Sequence, residues 1–259
     1  MNDKIVFFDI DGTLVNDEKK IPESTKEGIS QLQKNGVHVA IATGRGPFMF
    51  EPIREELGVD SFVSFNGSYV VFKDEVIHKT PLPAEFITKI EKEAESAGHP
   101  LVYLDHQKAT CNADDHEIIR NCTFNLMPKY PLYQPGFYKD NEVYQVLLFC
   151  QEQHEKAYRE SYKGTFDFIR WHEDALDILP TGGSKAKGIE AFIKQMNMKP
   201  ENVFAFGDAL NDIEMLNAAG TGIAMGNGMK EAKEAADFVT KSVDDDGIYH
   251  GLKHFGLIL

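Results

Sequence analysis

The chain has 259 residues, is 42% hydrophobic and carries a formal net charge of −14, which suits one large domain or a core with a smaller second domain. A surface this acidic repels nucleic-acid backbones and anionic membranes, and no run approaches the ~20 apolar residues that span a bilayer. The apolar run Ile5–Phe8 ends at Asp9, too short for a signal peptide, and the odd set Cys111, Cys122 and Cys150 without C-x-x-C spacing argues against a disulfide framework, so the cytosol is the simplest location.

In chain order, Lys4 to Phe8 reads as a buried strand, Glu23 to Asn35 as a helix stopped by Gly36, and Val37 to Ala42 as a second buried strand. Phe48 to Leu57 reads as helical and Phe62 to Ser64 as a short strand. Ser68 to Phe72 and Glu75 to His78 read as a hairpin turning at Lys73-Asp74. Near the other end, Ser184 caps a helix to Met196, and Val203 to Phe206 is a short buried strand. A helix Asp212–Ala219, a strand Gly222–Met225, a helix Lys230–Ala236 and a strand Phe238–Thr240 follow. This alternation predicts an α/β fold with a doubly wound parallel sheet.

The middle differs. Breaks at Pro81 and Pro83 and at Pro180-Thr181-Gly182-Gly183 enclose amphipathic helices (Glu85 to Ala97, Glu152 to Lys163) and four strand-like runs. These runs are Leu101 to Leu104, Glu142 to Cys150, Phe166 to Arg170 and Ala175 to Leu179. The expected organisation is a core of residues 1–80 and 181–259 with an inserted α+β domain at 81–180.

Four segments carry chemistry. Asp9-Ile10-Asp11-Gly12-Thr13 follows the first strand, so two carboxylates sit at the strand end where open α/β sheets bind ligands. Carboxylates this close repel and call for a cation, and a hard ion such as Mg²⁺ takes oxygen ligands. The alternatives, a solvated acidic turn or part of a calcium loop, sit poorly after a buried strand. Gly207-Asp208-Ala209-Leu210-Asn211-Asp212 follows another strand, so Asp208 can complete a metal shell and Asp212 can orient it, while Asn211 or Asp212 also suits a helix cap. Thr43-Gly44 ends the second strand, where the hydroxyl and amide could donate to phosphate oxygens or simply make a strand-to-helix turn. Lys185 opens a helix, a place whose dipole favours acids, unless a carboxylate and a phosphate lie beside it; Lys187 faces elsewhere. On so acidic a protein, phosphate chemistry requires such a local positive site.

In this order the segments resemble the haloacid dehalogenase superfamily, whose phosphatases carry D-x-D-G-T, a Ser/Thr strand end, a lysine and G-D-x-x-N-D. Ala42-Thr43-Gly44-Arg45, Phe65-Asn66-Gly67-Ser68, Asn211 to Leu216, Ala224-Met225-Gly226-Asn227-Gly228 and Asp244 to Ile248 are similar to its Cof-type hydrolases. The resemblance covers residues 1 to about 80 and 181 to 259, and the insertion is similar to the large α/β cap of that group.

It implies a Mg²⁺-dependent phosphomonoester hydrolase for small phosphorylated metabolites (sugar phosphates, nucleotides or phosphorylated cofactors). Asp9 is the implied nucleophile and Asp11 the general acid and base. Asp9, Asp11 (through its carbonyl) and Asp208 are the implied metal ligands, with Asp212 behind them. Thr43, Gly44, Lys185 and Asn211 are implied to hold the phosphoryl oxygens. No nucleic acid, membrane or obligatory protein partner is expected. Two other readings stand beside this one: a phosphomutase returning the phosphoryl group to a hexose phosphate, and a non-catalytic phosphate-sensing module. Mg²⁺-dependent phosphate release from p-nitrophenyl phosphate separates them.

Some signals are read as bland. His99, His106, Cys111 and His116 have no usual zinc spacing, and the glycines at 220, 222, 226 and 228 miss the dinucleotide pattern. Tyr103 and Trp171-His172 are expected to serve the core more than a pocket.

Overall fold

The computed structural model describes residues 4–124, 126–127 and 129–259. From the amino end it forms β1 (Ile5–Phe8), α1 (Glu23–Lys34), β2 (His38–Ala42), α2 (Glu51–Leu57), β3 (Phe62–Ser64), β4 (Tyr69–Phe72) and β5 (Glu75–Lys79). Next come α3 (Ala84–Ala97), β6 (Leu101–Leu104), β7 (Ala109–Cys111), α4 (Glu117–Thr123), β8 (Leu132–Tyr133), β9 (Gln145–Leu148), α5 (Glu152–Ser161), β10 (Phe166–His172) and β11 (Ala175–Pro180). The last stretch is α6 (Lys185–Met196), β12 (Val203–Gly207), α7 (Ile213–Ala218), β13 (Thr221–Ala224), α8 (Lys230–Ala235), β14 (Phe238–Val239) and α9 (Gly247–His254).

The chain divides into two compact units, one of residues 1–44, 52–79 and 184–259, the other of 45–51 and 80–183. The segment 45–51, placed with the flanking stretches on sequence, groups with the second unit. It lies outside the sheets and contains a 3₁₀ turn at Pro47–Met49.

In the first unit the strand order is β14-β13-β12-β1-β2-β3-β4-β5. Strands β14 to β3 are parallel and β3-β4-β5 antiparallel. All four residues of β1 are buried, as a parallel strand covered on both faces requires. On one face Ile5, Phe7, Ala40 and Ala205 pack with Ile189 and Phe192 of α6, Met215 and Leu216 of α7 and Ala232 of α8. On the other, Phe8 stacks on Phe206 with ring centroids 5.0 Å apart, α9 presses Gly251 against Phe206, and α1 lies on α9 through Gly28 and Leu252. Each phenylalanine buried here contributes about 1.5–3 kcal/mol. Lys73 and Asp74 both take positive φ (51° and 62°), the primed turn that matches hairpin twist.

In the second unit the strand order is β10-β11-β9-β6-β7-β8. Leu101, Tyr103, Val146, Leu148, Phe166, Phe168, Leu176 and Ile178 share one face and pack against Ile87, Ile90 and Ala94 of α3 and Tyr158 of α5. Glu91, buried among them, accepts hydrogen bonds from Tyr138 Oη (2.6 Å) and from Tyr103 Oη. No helix among the described residues is long and apolar enough to cross a membrane.

Candidate active site

The candidate residues named from the sequence all lie in the first unit. Asp9 follows the last residue of β1 and Asp208 the last of β12, and these strands are parallel neighbours with Phe8 opposite Phe206. Parallel strands in register end at the same edge, so the two carboxylates emerge side by side where open α/β sheets bind ligands. The Asp9 N–H still donates to the Phe206 carbonyl at 3.0 Å, which ties the residue to the sheet. The chain then turns at Gly12 (φ +79°), where a β-carbon would stand 2.3 Å from Asp208 Oδ2. Only glycine accommodates both that dihedral and that approach. Thr13 Oγ1 donates to Asp208 Oδ1 at 3.0 Å.

Lys185 arrives from the start of α6, whose first turn is capped by Ser184 Oγ accepting the Lys187 N–H (3.4 Å). The helix start is seated closely, for a β-carbon on Gly67 (φ +96°) would lie 2.2 Å from the Ser184 carbonyl oxygen. From there Lys185 Nζ reaches Asp9 Oδ1 at 2.6 Å and Asp212 Oδ1 at 2.7 Å, with its side chain fully buried. The other oxygen of Asp212 accepts the N–H groups of Asp208 and Ala209, each at 2.9 Å. Asp212 therefore fixes both the lysine and the backbone that presents Asp208.

These groups strain against one another electrically. Burial pushes the Asp9 carboxyl up to about 7, with Lys185 pulling it back and Asp212 and Asp208 adding repulsion. Burial also pushes Asp208 up to about 6, opposed by the Thr13 hydrogen bond. At Lys185, burial favours the neutral amine, but Asp9 and Asp212 outweigh it and hold the ammonium above its ordinary range. One oxygen from each of Asp9, Asp208 and Asp212 lies within 4.8 Å of the others. Three carboxylates facing one lysine leave negative charge unmatched when all are ionised. An all-oxygen donor set of that charge fits a hard divalent cation such as Mg²⁺.

The remaining sequence-derived candidates are placed less tightly. The Asp11 carboxylate is not part of the Asp9, Asp208 and Asp212 group. It is 44% exposed and pairs with Lys19 Nζ at 2.7 Å. Thr43 is buried at the carboxyl end of β2, beside β1; its N–H donates to the Val63 carbonyl (2.8 Å) and its own carbonyl accepts the Asn66 N–H (3.2 Å). Gly44 lies against the Asn66 side chain. Asn211 is exposed on the 3₁₀ turn Leu210–Asp212, and Lys187 is exposed on α6. The sequence reading assigned nothing to Thr13 or Lys19. Thr13 stood inside the first motif, whereas Lys19 sits in a polar turn with φ +59° that carries no pattern.

A family model described as haloacid dehalogenase-like hydrolase matches residues 6–252. The Bacillus subtilis (strain 168) protein YkrA is 46% identical over 258 residues, covering 100% of both chains. A crystal structure of a Geobacillus kaustophilus HTA426 protein shares 50% identity with a TM-score of 0.95, covering 98% of this chain and 99% of that one. The structure of BT4131, described as a sugar phosphatase of HAD subclass IIB, shares 32% identity with a TM-score of 0.83, covering 98% of this chain and 100% of that one.

Proposed function

We propose that this chain, which belongs to the haloacid dehalogenase-like hydrolase family, is a Mg²⁺-dependent phosphomonoesterase that works through an aspartyl-phosphate on Asp9. It is a phosphatase acting on small phosphorylated substrates. The observation that carries the finer reading is the buried Lys185 held between Asp9 and Asp212, with Asp208 beside them. A lysine shared by crowded carboxylates is costly as mere structure. It is useful where a phosphate dianion must approach a carboxylate.

In this reading Asp9 attacks phosphorus, the ester oxygen departs, and the acyl phosphate on Asp9 is then opened by water. Asp11 gives a proton to the departing oxygen and afterwards takes one from the attacking water. Asp11 reaches that role after exchanging Lys19 for the substrate, a small cost because the pair is exposed. Lys185, the Thr43 hydroxyl, the Gly44 amide and Asn211 hold the phosphoryl oxygens as charge moves onto them. Asp212 keeps Lys185 charged and aimed. Asp9, Asp208 and the Asp11 carbonyl would hold Mg²⁺, which when bound offsets the repulsion between Asp9 and the phosphate. The sugar-phosphatase description of BT4131 supports sugar phosphates among the small metabolites the enzyme accepts.

The test is phosphate release from p-nitrophenyl phosphate and from a panel of phosphorylated metabolites. Release that requires Mg²⁺ and stops with a chelator is expected. Release that persists at full rate without divalent metal would defeat the metal assignment, and none from any ester would defeat the phosphatase reading.

A further inference from the structure

We infer that Asn227 is a positioning residue for the general acid, acting as a strut between the loop that backs Asp208 and the turn Asp11-Gly12-Thr13. The inference rests on the phosphatase reading above and assigns a role which that reading leaves empty.

The geometry is specific. Asn227 Nδ2 donates to the Gly12 carbonyl at 2.8 Å, and Asn227 Oδ1 accepts the Val243 N–H at 2.8 Å. One partner is a carbonyl and the other an N–H, so the amide can sit only one way round. The loop that carries it is anchored independently. The Gly226 N–H donates to the Lys241 carbonyl (2.8 Å), and the Met229 N–H donates to the Asp208 carbonyl (2.7 Å). A β-carbon on Gly228 would stand 2.9 Å from that same Asp208 carbonyl oxygen, so the loop is packed directly against the backbone of Asp208. Asn227 therefore sets the distance from the Asp208 loop to the peptide that follows Asp11.

A second link between these segments is the Thr13 hydroxyl on Asp208 Oδ1. A cation on Asp208 competes for that carboxylate, whereas the Asn227 bond ends on a backbone carbonyl and persists. At the far end of the same segment, Asn16 Nδ2 donates to Asp244 Oδ1 at 2.8 Å; this bond and the Asn227 bond to Gly12 are both exposed to water, but Asn227 is also held from behind by the part-buried Val243 N–H. Of these three side-chain links, that of Asn227 ends nearest Asp11 along the chain, on the residue that follows it.

Loss of the strut leaves the nucleophile, which belongs to the sheet, and loosens the acid, which belongs to the turn. The consequence depends on the leaving group. An alkoxide needs a proton as it departs; a nitrophenolate hardly does. The experiment measures kcat/KM for p-nitrophenyl phosphate and glycerol phosphate with Mg²⁺ in wild type, Asn227→Ala and Asn227→Asp. The aspartate variant keeps the acceptor for Val243 N–H and loses the donor to Gly12. Both variants are expected to lose about tenfold in kcat/KM on the alkyl ester and under about threefold on the aryl ester, because kcat/KM reports the step in which the leaving group departs and not the shared opening of the acyl phosphate. The ratio of the two rates cancels the fraction of folded enzyme, so a destabilised variant still reports. Equal losses on both esters, or an Asn227→Asp variant that matches wild type on glycerol phosphate, would overturn the role of Asn227 and leave the phosphatase reading standing. A wild type that releases phosphate from neither these esters nor the wider panel of metabolites would overturn both.

Discussion

Both units bury carboxylates, and they resolve the cost in different ways. In the second unit Glu91 and Glu155 are satisfied at rest. Glu91 accepts from two tyrosine hydroxyls, and Glu155 meets Arg170 Nε at 2.6 Å together with Arg159. Burial and then Glu91 push the Tyr138 hydroxyl up to about 12, so the proton stays on the tyrosine and the hydrogen bond holds over the whole working pH range. In the first unit Asp9, Asp208 and Asp212 share one lysine, and two of them are raised by burial into or near the neutral range. Balanced acids build a core, whereas a surplus of acid at a strand edge leaves a charge for something else to fill. Carboxylates at similar burial are balanced in one place and crowded in the other because of what faces them.

The contrast breaks most sharply at Asp9. Asp9→Asn is expected to reduce Mg²⁺-dependent phosphate release to background while thermal unfolding stays near wild type, since the change removes like-charge repulsion. Asp11→Asn is expected to cost ~10² to 10⁴ in turnover on an alkyl phosphate, measured against an aryl ester whose leaving group needs less help. Lys185→Met tests both halves of the argument at once. Turnover falls by ~10² or more, and urea unfolding shows a loss of about 3–5 kcal/mol, because two buried carboxylates lose their cation. In the second unit Glu91→Leu strands two buried hydroxyls and is expected to cost about 2–4 kcal/mol in the same assay, with turnover per folded molecule unchanged.

The smallest effect concerns pH. Asp177, part-buried on β11, is pushed by burial from 3.8 up to about 7, with Gln145 and Trp171 opposing the rise. The folded state thus keeps this proton to a higher pH than the unfolded chain. Its contribution is full below about pH 4 and is lost as pH rises towards 7; the shift converts to about 4 kcal/mol at most, reduced to roughly 1–2 kcal/mol by the solvent that reaches the part-buried side chain. Urea midpoints of wild type should show this decline between pH 5 and pH 7.5, and Asp177→Asn should flatten it.

The first unit was largely legible in its sequence because its chemistry is contiguous. Asp9 and Asp208 directly follow short all-buried runs, and a strand end can be read from the run before it. Lys185 stood out as a cation at a helix start. The element boundaries moved by a residue or two, and the helix read at Phe48–Leu57 is a 3₁₀ turn followed by α2. Less was legible where tertiary contact decides. The partnership of Lys19 with Asp11 and the reach of Asn227 to Gly12 join residues with no shared pattern. In the second unit β7, α4 and β8 went unread, being two to seven residues long and too short for periodicity to register. Glu91 between two tyrosines is a contact across 12 and 47 positions that no local motif announces. The final helix α9 was also unread, although the Asp244 to Ile248 segment at its start had been singled out.

One consequence follows from where Lys185 falls along the chain. The second unit is one nearly continuous stretch, 80–183, and Lys185 lies just past its end, ahead of β12, the strand that flanks β1 opposite β2. During ribosomal synthesis the inserted unit can therefore mature while β1 still lacks one neighbour and Asp9 still lacks its counter-ion. The nascent chain emerges with the Asp9 carboxylate unmatched, and the cluster of Asp9, Lys185, Asp208 and Asp212 closes only with the last third of translation.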